Sequence, residues 1–311
     1  MSLRFDPVEA YSRSMAEVVV GGVRIAYRRR GSGAPLVLFH GAFEDSRIWV
    51  GELERLSPHV DVVAWDAPGC GASDDVPRGW GDADWADAAS GFITAVGLTA
   101  PAVAGLSLGS MFALLLARDH PASAGGLVLI GAYAGWGGSL DADRLAERIA
   151  SVRFTMDHPV DVWADGFLDS VFAPGASPER RAYARSLLDD WRPATTSALL
   201  DVMAQDLRPG LPMIPTPTVV VRGSADARSP RSASLELCEL LPHARFVEIA
   251  GAGHDCTGRD LDAVLIAAAR DARARAEPPA ILTRSSAAYG YERRRTPRRP
   301  EVFRAPAGDV S

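Results

Sequence analysis

The sequence predicts an α/β protein: a mostly parallel, eight-stranded sheet with helices on both faces and a helical lid inserted into it. Three observations carry the prediction. Short continuous apolar runs recur along the chain, "PLVLF", "VVAW", "AVAGL" and "GLVLI" among them. Runs of this length without polar alternation suit strands buried on both faces. Helical patterns separate them, as crossovers between parallel strands require. The alternation then stops between residues 134 and 212, where helical patterns follow one another without a good strand, and resumes afterwards.

Taken in order, "EVVVGGVRIAYRRRG" reads as a hairpin, two β-branched runs joined at Gly21-Gly22. "APLVLFHG" is a strand, "SRIWVGELERLS" a helix, and "HVDVVAWDAPGCG" a strand running into a glycine-rich loop. "WADAASGFITAVG" is helical and "APAVAGLS" a strand. "LGSMFALLLARDHP" is a helix stopped at Pro121, and "GGLVLIGAY" is again a strand. Four helical patterns follow: "SLDADRLAERIASVRF", "DHPVDVWADGFLDSVF", "SPERRAYARSLLDDW" and "TTSALLDVMAQDL". The third opens on Ser177-Pro178-Glu179, a plain start signal. Past Pro212, Pro215 and Pro217, "TPTVVVRGSAD" is a strand and "SPRSASLELCELLP" a helix. "ARFVEIAGAGH" is a strand, and "GRDLDAVLIAAARDARARAE" closes the core as a helix.

This order divides the chain into a core in two parts, residues 1–133 and 213–277, with the lid at 134–212 between them. Residues 278–311 carry seven Arg against three acidic residues, five Pro and little apolar periodicity, so they are expected to form a disordered basic tail. All 33 basic residues are Arg, a compositional bias without functional meaning here. A net charge of −6 argues against nucleic acid as a partner and leaves a small-molecule substrate. Three scattered cysteines, Cys70, Cys238 and Cys256, support neither a disulfide framework nor a metal site. The N-terminus lacks the apolar core of a secretory signal, and no run approaches the ~20 apolar residues of a membrane span. Together these features point to a reducing cytoplasm.

The chemistry centres on "GLSLG" at residues 105–109, a Gly-x-Ser-x-Gly sequence between a strand and a helix. A serine there either caps the helix or is displayed on a sharp turn to react. A reacting serine needs a base, and the chain has six His. His59 precedes a strand, His120 and His243 adjoin helix ends, and His158 lies in the lid. His40 and His254 follow strands, on the edge that carries Ser107, and His254 in "GAGHD" has the loop freedom to reach it. His40 ends the "FHG" strand, where it shapes the loop or lines the pocket. The base must in turn be oriented by a carboxylate. Asp226 follows the strand "VVVRG" on the same edge, and the order Ser107, Asp226, His254 is the one this architecture uses. Asp255 is expected to point away from the imidazole. Ser107 Oγ is expected within ~2.6–3.2 Å of His254 Nε2, or looser without ligand. Donors for a developing oxyanion would be the backbone N–H groups of Leu108 and of Ala42 or Phe43.

At this point "HGAFEDSRIW", "DAPGCGASD", "GLSLG", "GSAD" and "GAGH" resemble, in their order, the α/β-hydrolase superfamily, over about residues 17–275. Ser110, where many relatives have a second glycine, is expected to crowd the helix–strand contact slightly. The resemblance implies a serine nucleophile rather than the aspartate of dehalogenases and epoxide hydrolases. It is compatible with esterases, lactonases, thioesterases, carbon–carbon bond hydrolases and perhydrolases, and it implies no cofactor or metal. Lid aromatics Trp136, Trp163, Phe167 and Phe172 are the candidates to line a pocket for an apolar or aromatic substrate. Arg153, Arg180, Arg181 and Arg192 could bind a carboxylate, and each otherwise reads as solvent-facing. The expected activity is serine-dependent cleavage of an ester-type bond through an acyl-enzyme. The alternatives are carbon–carbon bond hydrolysis by the same triad and a non-catalytic small-molecule-binding protein on this fold.

Overall fold

A computed structural model describes residues 15–277 of the chain; the predicted tail at 278–311 lies outside the described residues. Strands β1 (Met15–Val20) and β2 (Val23–Gly31) form the hairpin that turns at Gly21-Gly22. They are followed by β3 (Ala34–Phe39), β4 (Val60–Trp65), β5 (Ala102–Leu106), β6 (Gly126–Ile130), β7 (Thr218–Gly223) and β8 (Ala244–Ile249). The eight make one sheet in the order β1-β2-β4-β3-β5-β6-β7-β8. β1 and β2, and β2 and β4, pair antiparallel, and every other pair is parallel.

The continuous apolar runs are explained by where they sit. β4, β5, β6 and β7 are buried along their whole length. Successive side chains go to opposite faces of the sheet. Thus Val37, Phe39, Val103, Leu127 and Leu129 join one apolar layer, and Leu36, Leu38, Ala104, Val128 and Ile130 the other. A two-layer core of this kind leaves no face for polar residues, so the polar alternation of a half-exposed strand is missing.

The helices of the core are α1 (Val50–Leu56), led in by a 3₁₀ turn at Ser46–Trp49, α2 (Asp82–Ala95) and α3 (Leu108–Asp119). Between β6 and β7 lie α4 (Trp136–Ser139), α5 (Ala142–Asp157), α6 (Val160–Val171), α7 (Pro178–Leu188) and α8 (Pro193–Met203). No strand occurs in that stretch. Ser177 caps α7, its hydroxyl accepting from the Arg180 N–H at 3.2 Å. α9 (Arg231–Leu240) and α10 (Arg259–Ala276) complete the described residues. Phe112 and Leu115 of α3 pack on one face of the sheet, and Leu261, Leu265 and Ala269 of α10 on the other. No described helix is long and apolar enough to cross a membrane.

Because strands β3 to β8 run the same way, the loops after them emerge on one edge. Residues 40–45, 107, 131 and 224–229 are carried to that edge by β3, β5, β6 and β7, and 250–257 by β8. The site is built there.

Candidate active site

Ser107 occupies a backbone conformation that side chains rarely adopt, φ 53° and ψ −111°, at the junction of β5 and α3. The two flanking glycines make the turn possible. A Cβ on Gly105 would stand 2.2 Å from the Gly109 carbonyl carbon, and one on Gly109 would stand 2.3 Å from the Phe39 carbonyl oxygen. The hydroxyl of Ser107 makes no capping bond to α3, so it is displayed rather than used as a helix cap. Ser110 stands in the contact between α3 and the sheet. Its buried hydroxyl donates to the Gly105 carbonyl at 2.7 Å and approaches the Ile130 carbonyl at 3.3 Å, tying the elbow to β6.

His254 and Asp226 meet in the same region. His254 Nδ1 lies 2.9 Å from Asp226 Oδ2, with both side chains almost wholly enclosed. Asp226 Oδ1 accepts from the backbone N–H groups of Arg228 at 2.8 Å and Ser229 at 2.9 Å. Burial alone would push this carboxyl up, but the facing imidazole and the two N–H groups hold it below its ordinary value. The carboxylate therefore stays ionised and fixes the ring with Nδ1 as donor. Gly131, just past β6, makes room for it: a Cβ there would stand 2.8 Å from His254 Cε1, and its φ is 56°. Asp255 turns away from the ring, as the sequence suggests, and pairs with Arg180 at 2.6 Å.

Ser107 and His254 line one small cavity of ≈ 20 Å³, together with Gly41, Ala42, Glu44, Leu106, Phe167, Val171, Arg228 and Asp255. The serine–imidazole hydrogen bond expected between them is not closed: His254 Nε2 is buried and has no partner among the described residues. Such bonds are often long without substrate and tighten in the reacting complex. Ala42, one of the two expected oxyanion donors, is on the cavity wall, and Leu108 follows the serine as the first residue of α3. Phe43, the other candidate in that loop, has φ 65° and sends its ring into the helical insertion, against Trp163, Phe167 and Trp191.

Several sequence-derived pocket residues stand elsewhere. His40 takes the loop-shaping role of the two expected and its pocket placement is corrected: its ring is wholly buried and used by backbone, Nδ1 donating to the Gly41 carbonyl at 2.8 Å and Nε2 accepting from the Ala67 N–H at 3.0 Å. Burial lowers its pKa, in keeping with a neutral imidazole that holds the loop. Trp136 lies under Arg148 and does not reach the cavity, and Trp163 sits behind Phe43 and Phe167. Phe172 faces a separate cavity of ≈ 810 Å³ between the 45–55 segment and α7. That larger space shares no lining residue with the small one and lacks Ser107 and His254. Arg153 is exposed as expected. Arg180, Arg181 and Arg192 are instead engaged with Asp255, Asp169 and Asp75.

Two charged cavity residues escaped the sequence reading. Glu44 accepts from the Gly41 N–H at 2.9 Å, and burial, reinforced by the charge of Asp255, pushes its carboxyl up to about 8. Arg228 follows Asp226 by two positions. Burial, with Arg148 adding repulsion, pulls its guanidinium down to about 10. Each was one charged residue in a loop, and loop sequence does not reveal which way a side chain points. The only available signal was their position, three residues after "FHG" and inside "GSADARSP".

Comparison with known proteins agrees with this architecture. The model of the alpha/beta hydrolase family matches residues 36–268. A pimeloyl-[acyl-carrier protein] methyl ester esterase of Xanthomonas oryzae is 30% identical over 234 residues, which span 72% of this chain and 89% of that protein. A 2-(acetamidomethylene)succinate hydrolase of Mesorhizobium japonicum is 25% identical over 243 residues, 76% of this chain and 87% of that protein. Among solved structures, an esterase from Exiguobacterium antarcticum superposes with a TM-score of 0.74 at 20% identity, over 83% of this chain and 99% of that one, a likeness of fold. With its eight-stranded sheet, its serine on the turn between β5 and α3 and these matches, the chain belongs to the alpha/beta hydrolase family of enzymes.

Proposed function

We propose that this chain hydrolyses an ester-type bond (ester, lactone or thioester) with Ser107 as nucleophile, His254 as base and Asp226 as the residue that orients it. One observation carries the reading. A strained, uncapped serine shares a cavity with an imidazole whose Nδ1 is held by a buried carboxylate and whose Nε2 is unpartnered. His254 Nε2 takes the proton as Ser107 Oγ bonds to the carbonyl carbon. The oxyanion forms against the N–H groups of Ala42 and Leu108. Collapse breaks the bond to the leaving group, which departs with the proton from Nε2. Water then repeats the sequence on the acyl-enzyme and releases the acid. The names of the two relatives above, an ester esterase and a hydrolase, support this class of reaction.

The small cavity has room for about one water molecule. Substrate entry therefore requires α6, which contributes Phe167 and Val171 to the wall, to move away. In this reading residues 134–212 act as a lid. The test is turnover by the wild-type chain of a panel of small activated esters, lactones and thioesters. Failure to cleave any of them, with the protein folded, overturns the proposal, and cleavage of ring-opened dienoates alone would favour the carbon–carbon alternative.

Phe167→Ala is expected to change the ranking of substrates by about 10- to 200-fold, because an apolar wall contact is worth roughly 1–3 kcal/mol in the transition state. Parallel kinetics on the same panel check it. An unchanged ranking would place selectivity outside α6.

Glu44 sets a pH dependence. Its carboxyl is neutral below about 8, and above that a negative charge appears beside the Gly41-Ala42 segment, where the oxyanion must develop. The rate constant kcat/KM is therefore expected to fall as pH rises through about 8, and Glu44→Gln should remove that fall. The same shift bears on stability. Folding favours the protonated form, so this contribution is complete below the ordinary value of 4.5 and is lost as pH rises through about 8. Urea unfolding of both proteins between pH 6 and roughly pH 9 measures it; a wild-type chain that loses no more stability than Glu44→Gln contradicts the assignment.

A further inference from the structure

Arg228 is a cation placed where a cation is costly. It lines the small cavity with Ser107 and His254. Its guanidinium donates to Ser170 Oγ at 2.6 Å and lies 5.1 Å from the centroid of the Phe167 ring. Among the described residues, Ser170 Oγ is its only hydrogen-bond acceptor, and no carboxylate forms an ion pair with it. The carboxylates nearby are otherwise used. Asp255 is paired with Arg180, and Asp226 spends Oδ2 on His254 and Oδ1 on backbone N–H groups. Glu44, on the same cavity wall, gives its Oε2 to the Gly41 N–H and forms no ion pair with the guanidinium.

The segment that presents Arg228 is tightly fixed. Its backbone carbonyl accepts from Tyr133 Oη and from Arg148 at 2.7 Å, and its N–H donates to Asp226. The head group is thus held in position beside the reacting serine with part of its hydrogen-bonding capacity unused. A guanidinium in such a place, with no carboxylate bonded to it, is favoured by an anion that arrives to meet it. A guanidinium fork matches a planar carboxylate with two parallel N–H donors.

From this placement we infer that Arg228 binds a carboxylate carried by the substrate, and that the enzyme acts on small anionic esters, such as half-esters of dicarboxylic acids, in preference to neutral ones. The inference rests on the hydrolase reading above and refines its substrate class, setting a cation beside the apolar wall of Leu106, Phe167 and Val171. Phe167 covers the apolar part, and Arg228 would set the register of the acyl chain relative to Ser107. Arg228 is a binding residue in this scheme and takes no part in proton transfer.

The experiment compares 4-nitrophenyl hydrogen glutarate with 4-nitrophenyl pentanoate, which has an acyl chain of the same length without the charge. Wild-type protein is expected to favour the anionic ester in kcat/KM. Arg228→Gln should lower the anionic-to-neutral ratio roughly 30-fold or more, mostly through KM, the scale for removing one partner of an enclosed charge pair. Arg228→Lys should keep part of the preference. A ratio unchanged by Arg228→Gln overturns the inference, because a purely structural role would affect both esters alike. Should Arg228→Gln fail to fold, wild-type protein decides with inhibitors. Glutarate should inhibit pentanoate ester hydrolysis at least tenfold more strongly than glutaramide, and equal inhibition counts against the site. Should wild-type protein cleave neither ester, the hydrolase reading fails separately. Calorimetric titration with glutarate then tests Arg228 by itself, and absence of binding overturns the inference.

Discussion

Ser107→Ala is expected to lower hydrolysis of a small activated ester by on the order of 10³-fold or more, since the covalent route through an acyl-enzyme is lost. Stability should move little, by about 0.5 kcal/mol or less. The hydroxyl makes no capping bond to α3, and alanine must adopt the same strained φ that serine already tolerates. The pairing of a large kinetic effect with a small thermodynamic one is the diagnostic result. A serine that served the helix as a cap would give the reverse, a loss of about 1 kcal/mol with activity retained. Steady-state kinetics and urea unfolding on the same preparation separate the two. Near-normal turnover by the alanine variant would remove Ser107 from the mechanism.

The order of strands and helices was legible because burial on both faces of a parallel sheet leaves a plain mark, a short apolar run without polar alternation. The runs ending at Phe39, Trp65, Leu106 and Ile130 are such cases, each a strand buried to its last residue. Ser107, Asp226 and His254 could be selected for a related reason. Each follows a parallel strand, so chain direction alone assigns it to one edge of the sheet, and the structure brings Asp226 to His254 and His254 to the cavity of Ser107.

Edge position does not give side-chain direction, and the misreadings share that cause. His40 and His254 occupy the same edge, yet His40 turns inward to two backbone partners. Trp136 and Trp163 were plausible wall residues by type, but Phe43, at positive φ, sends its ring between the core and α6 and keeps Trp163 behind it. Glu44 and Arg228 are the converse, ordinary loop charges by sequence that the fold encloses beside the serine. A residue whose meaning depends on what lies opposite it across a cavity cannot be read from one strand of text.

Asp226→Asn is expected to reduce kcat/KM by on the order of 10³- to 10⁴-fold while leaving the fold intact. The reason lies in how the two carboxylate oxygens are used. Oδ1 accepts from the N–H groups of Arg228 and Ser229, so the single carbonyl oxygen of an asparagine must take that position. The amide NH₂ is then left facing His254 Nδ1, where Oδ2 stood at 2.9 Å. A donor there demands that Nδ1 be an acceptor, which moves the ring proton to Nε2 and removes the base from Ser107. Asp226→Ala should instead remove the acceptor of both backbone N–H groups and cost stability as well as rate, because those buried donors are left unpaired. Comparing the two variants by kinetics and by urea unfolding therefore separates holding the tautomer from holding the loop. If Asp226→Asn retains activity within about tenfold of wild type, the carboxylate does not fix the tautomer, and its role is confined to the loop that carries Arg228.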